Sequence, residues 1–319
     1  DELTALDVPV RCVGDRRRGD PRWVLRLAQL LRRERYDIVH LHSPVLAVAV
    51  RLLLLASRGG PVTVSTQHNL WPSFRWPTRW ANRITLGRDR HVVAVADTVR
   101  DSMGRAGRDT EVIVHGVPLD ELRERVDRAC GTREHLGVDD DAPLLCTVAN
   151  LRANKAYPDL LAAARLVLDA RPDVCFVAVG QGPLADELEA ERARLGLGDG
   201  FRFLGYRSDA VELTAAADLF VLSSHHEGLP VAVMEALAVG TPVVSTDAGG
   251  VTDAVRDGVE GRIVPIARPE RLARAILDVL DDTDTRASMA EAAADRGRAF
   301  SIEAAVRRWE EIYDEVTRR

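Results

Sequence analysis

The sequence predicts an α/β protein made of two doubly wound, parallel-sheet domains facing one another across a cleft. Three observations carry that expectation. Short apolar runs of strand length alternate with longer helix-period stretches along the whole chain, the pattern of parallel strands covered by helices on both faces. At 319 residues the chain suits two domains of roughly 150 residues each. A charged stretch at 121–143, with Gly131 and Gly137, separates the two series and reads as the crossing between them.

In the first series, strands are expected at 8–13, 38–42, 62–66, 91–95 and 112–115, with helices at 23–33, 45–57, 77–85 and 98–103. The apolar run 45–56 is interrupted by Arg51 and falls short of the ~18–20 uninterrupted apolar residues of a membrane span, so it reads as a buried helix. The second series is cleaner. Strands fall at 144–149, 174–179, 201–204, 218–222, 243–246 and 261–264, and helices at 158–170, 184–195, 210–217, 230–239, 268–280, 285–298 and 302–317.

Composition narrows the setting. The four cysteines, Cys12, Cys130, Cys146 and Cys175, show no metal-ligand spacing. Cys146 and Cys175 lie in apolar strands as small core residues, which suits a reducing, cytoplasmic location. No stretch reads as a signal peptide. The formal charge of −6 hides an asymmetry, because residues 1–120 hold 19 arginines against 13 acids and the remainder 24 basic against 36 acidic groups. The first part also carries Arg16-Arg17-Arg18 and the aromatics Trp71, Phe74, Trp76 and Trp80 among Arg75, Arg79 and Arg83. Such a surface suits an anionic membrane face, as in a peripheral protein, or an anionic acceptor; solvated arginines over buried tryptophans fit as well. No nucleic-acid-binding motif accompanies the charge, so nucleic acid is not expected as a partner.

The most informative segment is Glu227-Gly228-Leu229-Pro230-Val231-Ala232-Val233-Met234-Glu235. It sets two carboxylates around a turn that opens an apolar helix at the end of a strand. Pro230 fits the first helical position, where its missing N–H costs nothing. The free N–H groups of such a helix start form a cradle for phosphate, and ligands gather at the carboxyl ends of strands in sheets of this kind. Carboxylates on either side of a diphosphate could grip hydroxyl-rich groups, the shape of a nucleotide-sugar. The chain's one lysine, Lys155, follows the 144–149 strand. Its compact ammonium suits a phosphate, where arginine is a planar fork. The Asp282-Thr283-Asp284 triplet lies between expected helices and reads as a solvated turn, so no metal site is expected.

With these residues in place, the chain resembles the retaining glycosyltransferase family 4 over essentially its whole length. Besides the E-x7-E segment, the motifs are Ala149-Asn150-Leu151…Lys155-Ala156, Val179-Gly180-Gln181-Gly182-Pro183, Phe203-Leu204-Gly205 and Gly249-Gly250 followed by Asp257-Gly258…Gly261. In the first half they are His40-Leu41-His42, Thr66-Gln67-His68-Asn69 and Val114-His115-Gly116-Val117. The resemblance implies a GT-B fold of two Rossmann-like domains. The first spans 1–122 and is joined by the closing helix 302–319; the second, nucleotide-sugar-binding domain spans 123–301.

The resemblance also implies roles. Lys155 would neutralise the donor diphosphate as it leaves, and the N–H groups of Gly228 and Leu229, at the Pro230 turn, would hold its oxygens. Glu227 would contact the transferred sugar and stabilise positive charge at its anomeric carbon. Glu235 would take the ribose hydroxyls, and His68 would lie over the sugar. Asn150, Gly180, Gly205 and Tyr206 would complete the donor side, with the base on the loop after Gly205. His42 and His115 are the acceptor-side candidates. The nucleotide-sugar is a co-substrate, and neither cofactor nor metal is expected.

Departures from the family pattern bear on these roles. Asn150 stands where an arginine is usual. His115 replaces an asparagine, Ala156 replaces a glycine, and Ala96-Asp97 stands for a serine–glutamate pair. The strand at 8–13 resembles the family's third, so the first domain is expected to be incomplete at its amino terminus, leaving the 62–66 and 38–41 strands without a neighbour. An epimerase or phosphorylase on the same fold fits the motifs less well. A catalytically weak homologue that binds a nucleotide or a partner is the alternative from another class.

Overall fold

A computed structural model of the chain describes residues 7–14, 21–55 and 60–318. The Arg16-Arg17-Arg18 cluster and the end of the 45–57 helix lie outside them. Two parallel sheets organise the rest. The first has β1 (Ile38–Leu41), β2 (Val62–Gln67), β3 (His91–Ala94) and β4 (Glu111–Val112) in the order β1-β2-β3-β4. The second contains β5 (Leu144–Val148), β6 (Cys175–Val179), β7 (Phe201–Gly205), β8 (Leu219–Leu222), β9 (Val243–Thr246) and β10 (Gly261–Val264), in the order β10-β9-β8-β5-β6-β7. Every pairing is parallel, because each crossover carries a helix or a long connection rather than a tight turn.

These sequences make strands of this kind for a simple reason. A parallel sheet covered on both faces needs unbroken apolar runs rather than alternation. Cys175–Val179, Leu219–Leu222 and Val243–Thr246 are buried at every position. The chain leaves β5 toward β6 and β7 on one side, then returns to β8 beside β5 and continues outward to β10. Strand order therefore reverses between β5 and β8, where a crevice opens at the carboxyl ends. This is the GT-B architecture that the resemblance implied.

The closing helix Ile302–Thr317 returns to the first sheet, where Ala305, Ile312 and Val316 pack with Val64, Val93 and Ile113. Two chain segments cross where it begins: the Val117 N–H donates to the Phe300 carbonyl at 2.8 Å and the Ile302 N–H to the Val117 carbonyl at 3.1 Å.

The first sheet departs from expectation most. Residues 8–13 form no strand; they are largely exposed, with no strand beside them among the described residues. The strand expected at 112–115 shrinks to Glu111–Val112. Val62–Gln67 does not lack a neighbour, since β1 and β3 flank it on both sides; Ile38–Leu41 has β2 on one side alone among the described strands. The stretch 121–143 is no plain linker but holds helices Leu119–Arg128 and Thr132–Leu136. Their many charges masked a narrow apolar stripe in which Leu122 is the buried residue. Asp282 is not a mere turn residue: it caps the helix Thr283–Gly297, accepting from the Thr285 N–H at 2.9 Å and from its hydroxyl at 2.7 Å.

Candidate functional site at the mouth of the second sheet

Three strand ends converge at the crevice. After β5 the chain makes a short turn, Ala153–Lys155, that enters the helix Tyr157–Ala170. The Ser223 hydroxyl beyond β8 donates to the Lys155 carbonyl at 2.9 Å, and the His225 N–H donates to the Asn154 carbonyl at 2.9 Å. The Thr246 hydroxyl at the end of β9 donates to the Ser224 carbonyl at 2.5 Å. Side-chain and backbone bonds thus lace the turn after β5 to the loop after β8.

The result places Lys155 Nζ 2.6 Å from Glu227 Oε1, with the two side chains 19% and 10% exposed. Ser224 Oγ donates to the same carboxylate oxygen at 2.5 Å. An ammonium has three N–H donors, so this contact leaves two for another anion. The next two residues, Gly228 and Leu229, are buried, and among the described residues their N–H groups donate to no protein acceptor. Buried amides without partners are uncommon in folded proteins. Here two lie in sequence beside an ammonium.

Close packing fixes the path of that turn. A Cβ added at Gly228 would sit 1.8 Å from the His68 carbonyl oxygen, and one at Gly250 would sit 1.5 Å from the Gly228 carbonyl oxygen. The turn is pressed between the first domain's His68 and the Gly249–Gly250 pair of the second. A further bond spans the domains, since Asp253 Oδ2 accepts from both the N–H and the hydroxyl of Thr98 at 3.0 Å.

Pro230 does not hold the first helical position. It is the N-cap of Val231–Ala238, with φ −73° and ψ 119°, and its carbonyl accepts from Val233 and Met234. The extended conformation reflects its place in the packed turn rather than in the helix. Glu235 lies one helical segment on, half-buried, where burial raises its carboxyl above the usual range while Arg125 pulls it down. Gly180 packs against Ala149 and donates its N–H to the Gly205 carbonyl at 2.8 Å. Asn150 is exposed at the β5 end, and Tyr206 is exposed beyond β7.

Opposite them the first domain presents a row of histidines. His42 Nδ1 lies 2.9 Å from His68 Nε2, and the His68 and His115 rings are 6.1 Å apart. Behind them His40 is held by the Tyr313 hydroxyl at 2.6 Å and Thr66 Oγ1 at 2.7 Å, and it packs on Trp309. Burial, aided by the neighbouring imidazoles, pushes His68 down to about 4 and His40 to about 3; burial also lowers His42 and His115. At neutral pH the row is uncharged.

The structure therefore gathers Lys155, Glu227, Gly228 and Leu229 with His68 at one crevice, with His42 and His115 beside His68. Gly180, Asn150 and Gly205 belong to the adjoining strand ends. Sequence reasoning missed Ser223 and Ser224, which brace the loop, and His40 as the support of the histidine row. The Ser-Ser pair directly after an apolar strand was the available signal for the first two.

Comparisons with known proteins identify the family. The family model described as glycosyl transferases group 1 matches residues 132–296, and the model described as glycosyltransferase family 4 matches residues 1–121. An alpha-D-kanosaminyltransferase of Streptomyces kanamyceticus is 30% identical, over 95% of this chain and 84% of its own length. A UDP-Gal:alpha-D-GlcNAc-diphosphoundecaprenol alpha-1,3-galactosyltransferase of Escherichia coli is 25% identical, over 88% of this chain and 76% of its own length. Among solved structures, Anabaena HepE with UDP and glucose superposes with a TM-score of 0.84 at 23% identity, over 98% of this chain and 88% of its own, a likeness of fold. On the family models and the kanosaminyltransferase match, this chain belongs to the family 4 glycosyltransferases.

Proposed function

We propose that this glycosyltransferase moves a sugar from a nucleoside-diphosphate donor to an acceptor bound by its first domain, with retention of anomeric configuration. The observation that carries the reading is the Lys155 ammonium beside Glu227 and the amides of Gly228 and Leu229, which donate to no acceptor among the described residues. As the glycosidic bond to the diphosphate breaks, negative charge builds on the leaving oxygens. A fixed cation and aimed N–H dipoles stabilise that charge without reorganising. In this reading no metal takes part.

Glu227, held by Lys155 and Ser224, faces the sugar as positive charge develops at the anomeric carbon. Glu235 is the ribose ligand, Tyr206 and the loop after Gly205 meet the base, and Gly180 and Asn150 shape the donor pocket. Neutral His68 donates or accepts a single hydrogen bond at the sugar, while His42 and His115 line the acceptor side. The division of labour follows the two sheets, with residues 1–122 and the closing helix receiving the acceptor and 123–301 holding the donor. The donor class is supported by relatives whose names or titles state it: the Escherichia coli enzyme is a UDP-Gal galactosyltransferase, and HepE is described with UDP-glucose. The former acts on a diphosphoundecaprenol-linked sugar, which supports a lipid-linked or cell-envelope acceptor here.

Calorimetric titration with UDP and GDP, followed by turnover of radiolabelled UDP- and GDP-sugars, tests the reading. Binding of one nucleotide and an α-configured product from an α-linked donor are expected; inversion, or no affinity for either nucleotide, contradicts it. A second reading, a nucleotide-binding module with weak catalysis, is favoured by Asn150, a neutral side chain where the family's arginine would share the diphosphate charge. Tight UDP binding without sugar transfer would select it.

A further inference from the structure

The helix Trp76–Thr85 is amphipathic in the inverse sense. Its inner face is polar: Asn82 and Thr85 are buried and accept from Arg51 Nη1 at 3.0 and 3.3 Å. Arg51 itself is buried in an ion pair with Asp89 and also donates to Ser65. The Asn82 amide further donates to the Pro44 carbonyl at 3.3 Å. These bonds fix the rotation of the helix about its axis.

The opposite face carries Trp76, Trp80 and Ile84, which are 74%, 60% and 59% exposed. Spaced at i, i+4 and i+8, they form one stripe. Arg75, Arg79 and Arg83 form a second stripe one position behind, all exposed, and among the described residues their side chains pair with no acid. Arginines on the Leu119–Arg128 and Ala185–Arg194 helices, by contrast, pair with carboxylates three or four residues away. No Asp or Glu occurs between Asp37 and Asp89, a span holding six arginines.

We infer that this face seats the enzyme on an anionic lipid bilayer. Tryptophan has an apolar body and one N–H, which suits the headgroup boundary. Unpaired guanidiniums one row away suit lipid phosphates, and together the stripes match an interfacial helix lying in the membrane plane. A second copy of the chain fits less well. Three exposed side chains bury roughly 400 Å² at most, half of the ~800 Å² per partner of a stable interface, and the unpaired arginines would face one another across a two-fold axis. The helix starts eight residues after His68, so it lies within about 28 Å of chain from that histidine, beside which the acceptor-side candidates His42 and His115 lie. A sugar acceptor anchored in that bilayer would lie near the cleft.

The inference stands apart from the donor reading, because nucleotide titration of the same variants in solution reads the donor site alone. The test is sedimentation of the 319-residue chain with phosphatidylcholine vesicles, with and without about 30 mol % phosphatidylglycerol. The unsubstituted chain should sediment with anionic vesicles and be released by about 0.5 M salt. Trp76→Ala with Trp80→Ala, and separately Arg75→Glu with Arg79→Glu and Arg83→Glu, should each weaken partitioning at least about tenfold while leaving nucleotide affinity unchanged. No sedimentation of the unsubstituted chain, equal sedimentation of both variants, or a concentration-dependent dimer abolished by the tryptophan changes would each overturn it.

Discussion

The Lys155 ammonium and the Glu227 carboxylate touch at 2.6 Å although 72 residues separate them in sequence. In the proposed reading this pair meets the departing diphosphate, and its two opposite charges offset one another. On that proposal Glu227 would oppose the donor's negative charge and favour the developing positive charge on the sugar. Glu227→Gln separates these effects. UDP should bind as well as before or more tightly, while sugar turnover falls by about 10²-fold. Parallel titration and initial-rate measurements check this, and equal losses of binding and turnover would contradict it.

Packing of the turn between domains gives a steric prediction. Gly228→Ala places a methyl carbon 1.8 Å from the His68 carbonyl oxygen, a clash with backbone. The turn and the first domain must separate. Nucleotide affinity should drop at least about tenfold, one pKd unit or roughly 1.4 kcal/mol, with an increased radius of gyration in solution scattering. Unchanged affinity would show that the turn relaxes elsewhere.

Ala156 offers a stabilising substitution. It is a buried residue with φ 49° and ψ 43°, in the left-handed region, at the entry to the helix Tyr157–Ala170. A Cβ there costs on the order of 1 kcal/mol relative to glycine. Ala156→Gly should raise the denaturant midpoint accordingly without altering nucleotide affinity. A lowered midpoint would mean that the Ala156 methyl's packing outweighs the backbone strain.

The histidine row predicts acid sensitivity. His68 and His40 have folded pKa values depressed to about 4 and about 3, below the ordinary value near 6.5. Between those values the unfolded chain binds more protons than the folded one, so stability rises with pH there. Their contribution is complete above about pH 6.5 and is lost as pH falls toward 4 and 3. Thermal midpoints should decline across that window, and less steeply in His68→Gln. Turnover should show no inflection near 6.5 from His68, which is already neutral.

How much of this was legible in the sequence depends on how local each feature is. The second sheet was readable almost strand by strand because its inner runs, such as Cys175–Val179, Leu219–Leu222 and Val243–Thr246, are buried on both faces and read as unbroken apolar segments. The first sheet was less so, since Glu111–Val112 is two residues long and 8–13 looks strand-like but pairs with no strand among the described residues. Arg51 inside an apolar run was visible, but its buried pairing with Asp89 and Asn82 depends on folding across 38 and 31 positions. Likewise Trp76 and Trp80 could not be told from the buried Trp71 without knowing that the helix's inner face is polar. For the site, the spacing of Glu227 and Glu235 and the lone lysine were local signals. The bracing by Ser223, Ser224 and Thr246 joins three strand ends and had no local mark.

Calorimetric titration of UDP against uridine, on the unsubstituted chain and on Lys155→Ala, tests the central claim most directly. UDP should bind the unsubstituted chain far more tightly than uridine, and Lys155→Ala should remove most of that difference, a loss of about 10²–10³-fold in UDP affinity with uridine affinity unchanged. Equal UDP affinity in the two proteins would contradict the claim that this ammonium and the adjoining amides hold the diphosphate.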